Sequence, residues 1–294
     1  MYILAIETTG PELSVAVIND KREIVELSCP DKFSHLQNLV PMIDELLKST
    51  GLELSSAAAI ATSVGPGSFT GIRIGVSTAR ALAQALDLKT MAVPTLKSFA
   101  YHAEDYQGVI CPIFDARRSQ VYAGAYLWSV DEMGQRQIIE VVKGGAYDLA
   151  DYLRYLKQGL MVFGISEVML FGDGVHVYGE NIVEFTDKNN INFYDARLLV
   201  SSKEIDGAIR PTSSIQVASS IAKYALDSYE KEKNTKATET DIRIENEMFD
   251  DCLKGNNKTE KVLLDYWQLE PEYMRKSEAE RRLEEGTLGK KEVH

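Results

Sequence analysis

The chain has 294 residues, 45% of them hydrophobic and 26% charged, with a formal net charge of -12 at pH 7. That length suits two compact domains with a sizeable core, and no apolar run is long enough for a membrane helix. The acidic balance argues against a protein that grips nucleic acid unaided, because such proteins carry a concentrated basic surface.

The opening MYILAIETTG has no basic stretch and no cleavage-site pattern, so it is expected to start a strand and not a secretory leader. The three cysteines, Cys29, Cys111 and Cys252, are far apart and odd in number. They imply neither a disulfide framework nor a CxxC metal knuckle, and they fit a reducing, cytoplasmic setting.

In chain order, the short apolar run at 2–6 (YILAI) predicts a buried strand. Two more strands follow at 13–18 and 22–28, parted by the turn residues Asn19, Asp20 and Lys21. A helix is expected from about Ser34 to Lys48, with Leu36, Leu39, Val40, Ile43, Leu46 and Leu47 on its apolar stripe. A short strand at 58–63 leads into a glycine-rich turn and a second helix, from about Gly71 to Leu86. A strand at 89–93 and a short helix at 95–104 complete the first half.

The pattern then restarts, with strands at 109–114, 120–128 and 136–142. A strand ending in an acid, a turn and two more strands therefore occur twice, the acid being Glu7 first and Asp115 second. This echo predicts a duplicated α/β domain. Residues 168–171 lead as a strand into Gly172-Asp173-Gly174. A helix is expected over 213–229, with Ile215, Ala218, Ile221, Ala222, Ala225 and Leu226 on its apolar face. From 230 to about 261 the chain is rich in Lys, Glu, Asn and Thr, which reads as a solvated insertion. The expected division is a first lobe over 1–107 completed by the 213–229 helix, a second lobe over 108–212, and a charged insertion with tail over 230–294.

The sharpest local signal is Gly65-Pro66-Gly67-Ser68-Phe69-Thr70-Gly71-Ile72-Arg73-Ile74-Gly75, set between a strand and a helix. Its glycines allow a sharp turn and a close backbone approach. Ser68 or Thr70 suits the cap of the following helix, and amide groups at a helix start can hold an anion. No Lys-Ser/Thr pair follows, so it is not a Walker A loop. A tight strand-to-helix turn with close helix packing is the plainer explanation. The helix after it carries apolar residues all round, which implies burial on more than one side.

Glu7-Thr8-Thr9 and Asp115-Ala116-Arg117-Arg118 occupy matching turns. An acid with hydroxyls can hold magnesium and phosphate, and arginines beside an acid can bind phosphate or an acidic partner. Polar turn tips are the plainer explanation of both. The histidines, His35, His102, His176 and His294, form no HxxxH or HExxH pair, and there is no GxSxG elbow.

Glu7-Thr8-Thr9, the GPGSFTGIRIG turn at 65–75, STARALAQAL at 77–86, FDARRSQVY at 114–122 and PEYMRKSEAE at 271–280 together resemble the TsaB, or YeaZ, family. The acidic stretch near 230–261 is longer than the family pattern needs. The resemblance implies a two-lobed, duplicated actin/Hsp70/acetate-kinase-like (ASKHA) fold. It implies a non-catalytic partner of TsaD, the subunit that transfers the threonylcarbamoyl group to adenosine 37 of tRNA. TsaD-type proteins hold a metal through an HxxxH pair, and Thr95 and Phe99 fill the equivalent positions in this chain, so no metal or catalytic residue is expected.

The resemblance also implies pairing with TsaD, or with a second copy, through the two N-terminal helices. The interface candidates are His35, Leu36, Leu39, Val40 and Ile43 from one helix, with Ile72, Gly75, Val76, Ala79 and Leu82 from the other. Some of these must serve the internal core. A vestigial nucleotide or phosphate group is expected among Glu7, Thr8, Thr9, Gly67, Ser68, Thr70, Asp115 and Arg117. ATP or ADP is expected only at a subunit junction, the TsaE ATPase in the larger assembly, and tRNA only through the complex. The competing readings are a free-standing ATPase or small-molecule kinase of the same fold and, behind it, a metallopeptidase.

Overall fold

The computed structural model describes residues 1–10, 12–29, 35–131, 134–195, 217–245 and 262–274. They fall into two compact units. One gathers residues 1–64 and 73–94 with the described parts of 216–270. The other gathers 65–72, the described parts of 95–215, and 271–274.

The first unit is built on five strands: β1 (Tyr2–Glu7), β2 (Leu13–Asn19), β3 (Ile24–Cys29), β4 (Ala59–Gly65) and β5 (Thr90–Pro94), in the order β3-β2-β1-β4-β5. β1, β2 and β3 pair antiparallel, whereas β1 and β4 run parallel. Successive side chains on a strand face opposite ways. Ile3 and Ala5 of β1, with Ala16, Ile18, Ala59, Ala61, Met91 and Val93, pack with Ala218, Ile221, Ala222, Ala225 and Leu226 of a long helix. The alternate residues Tyr2, Leu4 and Ile6 are buried as well, so β1 is covered on both faces. That explains its unbroken apolar run. α1 (His35–Thr50) packs against β2 and β3, and α2 (Phe69–Leu86) lies between β4 and β5 in sequence.

The second unit opens with the four-residue α3 (Thr95–Ser98) and a 3-10 turn over Phe99–His102. Its sheet holds β6 (Val109–Asp115), β7 (Gln120–Val130), β8 (Arg136–Asp148), β9 (Glu167–Phe171) and β10 (Asn192–Asp195), in the order β10-β9-β6-β7-β8. β6, β7 and β8 pair antiparallel, and β9 runs parallel to both β6 and β10. The same order and the same antiparallel start therefore occur twice, as the sequence echo predicts. One face packs against α4 (Leu149–Phe163) through Leu149, Tyr152, Leu153, Leu156 and Leu160. The other holds Ile110, Tyr126, Met169 and Phe171 with Leu96 and Ala100. Leu96 and Ala100 are core residues of this second unit, so residues 95–107 belong with it and not with the first lobe, where the sequence reading put them. α5 (Gly174–Val177) and α6 (Gly179–Asn189) follow β9.

Three further differences from the sequence reading stand out. α4 and α6 were not foreseen. The late helix, α7 (Ala218–Glu245), starts later than 213 and runs sixteen residues past 229, into the stretch read as a solvated insertion. Lys and Glu are good helix formers, so a polar composition does not stop a helix already anchored by an apolar turn. Ile215, the insertion from 246 to 261, the end of the second lobe from 196 to 212 and the tail beyond Met274 lie outside the described residues.

Candidate functional site

The glycine-rich turn is held from both ends. The Gly65-Pro66 peptide is cis, and Gly65 has a φ of 129°. Its N–H donates to Thr95 Oγ1 at 3.2 Å. A Cβ at this position would collide with the carbonyl oxygen of Glu272, so the returning tail lies directly on the glycine backbone. Phe69, the first residue of α2, stacks on Tyr273 with ring centroids 4.9 Å apart. Two sequence motifs about 200 residues apart, GPGSFTG and PEYM, thus form one surface within the second unit. Nothing local in either motif announces the pairing.

Ser68 acts as the cap that its position predicts, its Oγ accepting the Gly71 N–H at 3.2 Å and its carbonyl that of Ile72 at 2.8 Å. Thr70 is exposed and Gly67 half-buried. Gly75 has a different task. A Cβ there would stand 2.5 Å from Thr8 Oγ1 and 2.9 Å from Thr62 Oγ1, so α2 can approach the end of β1 only at a residue without a side chain.

Glu7, Thr8 and Thr9 at the end of β1 are all buried. Glu7 Oε1 accepts from both the N–H and the hydroxyl of Thr9, each at 2.5 Å. Burial pushes the Glu7 carboxyl above its ordinary range, and the hydrogen bonds from Thr9 pull it partly back. All three residues belong to the first unit.

Asp115 is likewise occupied, within the second. Its Oδ1 accepts the Arg117 N–H at 2.8 Å and the Tyr178 hydroxyl at 2.9 Å, and its own N–H donates to Asp173 Oδ1 at 2.9 Å. Burial, with the Asp115 carboxylate accepting its proton, raises the Tyr178 hydroxyl above its usual range. The ties to Tyr178 and Asp173 were not foreseen; the Gly172-Asp173-Gly174 turn was the available signal. Arg117 itself is exposed at the hairpin tip.

The helix candidates separate sharply. Leu36 is 74% and Val40 53% exposed, an exposed apolar edge on α1. His35, Leu39 and Ile43 are buried on the other side of that helix, and Ile72, Val76 and Ala79 of α2 are at most 2% exposed. These last six belong to the interior and are not free for a partner; the apolar stripe of each helix is first of all its core face. Gly75 is buried and Leu82 half-buried.

Thr95 and Phe99 are structural. Thr95 holds the Gly65 amide, and Phe99 packs between His102 at 5.6 Å and Phe114 at 5.1 Å. Among the described residues no group of three or more His, Cys, Asp or Glu side chains is placed to hold a metal. Cys111 is fully buried, which pushes its thiol up to about 12.

Comparison with known proteins gives this arrangement a family. A family model described as TsaD, tRNA N6-adenosine threonylcarbamoyltransferase, matches residues 32–281. The tRNA threonylcarbamoyladenosine biosynthesis protein TsaB of Bacillus subtilis is 37% identical over 158 residues, 54% of this chain and 67% of that protein. Its Escherichia coli namesake is 37% identical over 129 residues, 43% of this chain and 55% of that protein. The chain belongs to that family, in its TsaB (YeaZ) branch. The alignments span only about half to two thirds of these relatives. The solved structure of YeaZ from Pseudomonas aeruginosa superimposes with a TM-score of 0.57 at 20% identity, covering 93% of this chain and all of that one. The fold is thus that of YeaZ, and the strand order repeated in its two sheets is the duplication that the sequence echo predicts.

Proposed function

We propose that this chain is a non-catalytic subunit in the formation of threonylcarbamoyladenosine in tRNA, and that it works by binding a TsaD-type transferase. The observation that carries the reading is the fate of the two positions where such a transferase needs histidines. Thr95 is committed to the glycine turn and Phe99 to an aromatic cluster. Neither side chain is a metal ligand of the kind an imidazole provides. The hydrogen bonds that Asp115 Oδ1 accepts from the Tyr178 hydroxyl and the Arg117 N–H of its own hairpin favour the same reading over a free-standing kinase.

The docking surface is the exposed edge of α1 at Leu36 and Val40, joined by the outward side of α2. A homodimer would use the same surface. ATP or ADP belongs at the subunit junction of the assembled complex, and the TsaE ATPase belongs to the larger assembly. A cytoplasmic setting is part of the proposal, because that is where tRNA is modified. No described helix is long and apolar enough to cross a membrane.

The test is size-exclusion chromatography of the chain with the TsaD protein of its own cell, with and without Leu36→Glu/Val40→Glu. Both positions are exposed, so the double variant folds. A mixed complex that is lost in the variant is the expected result. A partner fully active in the absence of this chain, or ATP turnover by the chain alone, overturns the proposal.

A further inference from the structure

The hairpin between β6 and β7 holds a backbone anomaly that the proposed function does not use. Arg117, Arg118 and Ser119 have φ values of 63°, 56° and 59°. None is glycine, and each left-handed L-residue costs about 1–2 kcal/mol. The conformation is pinned on every side. The Ala116 N–H donates to the Gln120 carbonyl at 2.9 Å, the Gln120 N–H to the Arg117 carbonyl at 3.1 Å, and the Leu149 N–H to the Ser119 carbonyl at 3.2 Å. The acid beneath the tip, Asp115, takes the Arg117 N–H, and Asp173 takes that of Asp115.

The outcome is two adjacent, exposed guanidinium groups with no hydrogen bond or ion pair among the described residues. The contrast with other exposed arginines is direct. Arg22 pairs with Asp227 at 2.5 Å, Arg154 with Asp151 at 2.7 Å, and Arg136 with Glu104 at 3.7 Å while stacking on Trp128. In a chain of net charge -12, a cation finds acids easily. Here Asp115 and Asp173 accept backbone amides and, at Asp115, a tyrosine hydroxyl, and the left-handed backbone of 117–119 leaves both arginines exposed. Strain kept by surrounding structure points to a use.

We propose that the Arg117-Arg118 tip binds the phosphate backbone of the RNA on which the assembly acts. The proposal rests on the function given above. Arginine presents a planar fork of donors suited to phosphate. The net charge of -12 disfavours a broad electrostatic contact with RNA, so the proposed contact is local to this tip and touches one or two phosphates.

The variant to use is Arg117→Asn/Arg118→Asn, because asparagine removes the charge and accepts the left-handed backbone. Binding of labelled tRNA transcript to the full chain with its TsaD-type partner is followed by fluorescence anisotropy across a salt series. The double variant is expected to bind at least about fivefold more weakly at ~100 mM salt, with a salt slope shallower by about one to two. Arg117→Lys/Arg118→Lys retains most of the affinity. Unchanged affinity and slope in the asparagine variant overturn the proposal. So does a variant that keeps RNA affinity but loses the mixed complex on size exclusion, which would make the tip a contact for an acidic protein surface. If the wild-type chain forms no mixed complex, the subunit reading fails separately, and the same titration of the full chain alone then decides the RNA contact.

Discussion

Gly65 and Glu7 are the residues where a single atom decides most. At Gly65 a methyl group meets both an unfavourable φ and the Glu272 carbonyl. Gly65→Ala is expected to cost about 2–4 kcal/mol in urea unfolding. Glu7 acts through its proton. Burial raises its folded pKa, so as pH climbs past the ordinary carboxylate value the unfolded chain ionises before the native one. Stability therefore falls across the window from about pH 4.5 up to the folded value. Glu26, half-buried beside the start of α7, shifts the same way for the same leading cause and adds to the slope. Glu7→Gln keeps an acceptor oxygen for Thr9. It should raise the denaturation midpoint at pH 8, with the gain shrinking as pH approaches 4. A variant whose gain is constant with pH would show that the shift at Glu7 is not its source. Thr8, Thr9, Ser68 and Asp115 were legible as polar turn residues from neighbours along the chain. Tyr178 and Tyr273 were not, because each meets its partner through contacts far apart in sequence.

At the scale of elements, alternation and the turn residues disclose the strands well, and β8 is longer than foreseen because it continues through Gly144 and Gly145 to Asp148. α4 escaped because Met161, Val162 and Phe163 are apolar yet exposed, which blurs its stripe of Tyr152, Leu156 and Leu160. The stripe on α1 misleads in a different way. Leu36 and Val40 sit at helical spacing with Leu39 and Ile43, yet only the latter pair is inside. α7 depends on a cap that no local pattern contains. The Ala218 N–H donates to Ser14 Oγ at 2.8 Å and the Ser219 N–H to Glu26 Oε1 at 3.2 Å. Strands β2 and β3 thus supply what a helix normally takes from the residue before it. Ser14→Ala leaves a buried donor unpaired and should cost about 1–2 kcal/mol, read as a lower melting temperature. Ser14→Thr, which keeps the hydroxyl, should recover much of that loss.

For the whole molecule, the duplicated topology was readable from two acid-ended strands, each followed by two more. The return of the chain was not. The last described stretch comes back to β5, where Thr90 and Leu264 exchange backbone hydrogen bonds at 2.8 Å and Lys89 meets Asp265 at 2.5 Å. The proposed pairing with a transferase is tested at this scale too. Leu36→Glu/Val40→Glu should abolish the mixed complex and leave the melting temperature within about 2–4 °C, since each exposed substitution rarely moves stability by more than ~0.5 kcal/mol. Val76→Glu, at a position 2% exposed, would unfold the first unit instead and tell nothing of the partner.

The cap at Ser14 also bears on synthesis at the ribosome. The face of the first sheet made by Ile3, Ala5, Ala16 and Ile18 is covered by α7, and Ser14 precedes its capping partner Ala218 by 204 positions. At ordinary translation speeds that is a delay of roughly 10–40 s. From the emergence of β5 onward the nascent chain carries this whole apolar surface without the helix that covers it, while the second sheet emerges and can fold. A product released before residue 218 would keep that surface for good, so the chain is most exposed to aggregation while it is being made.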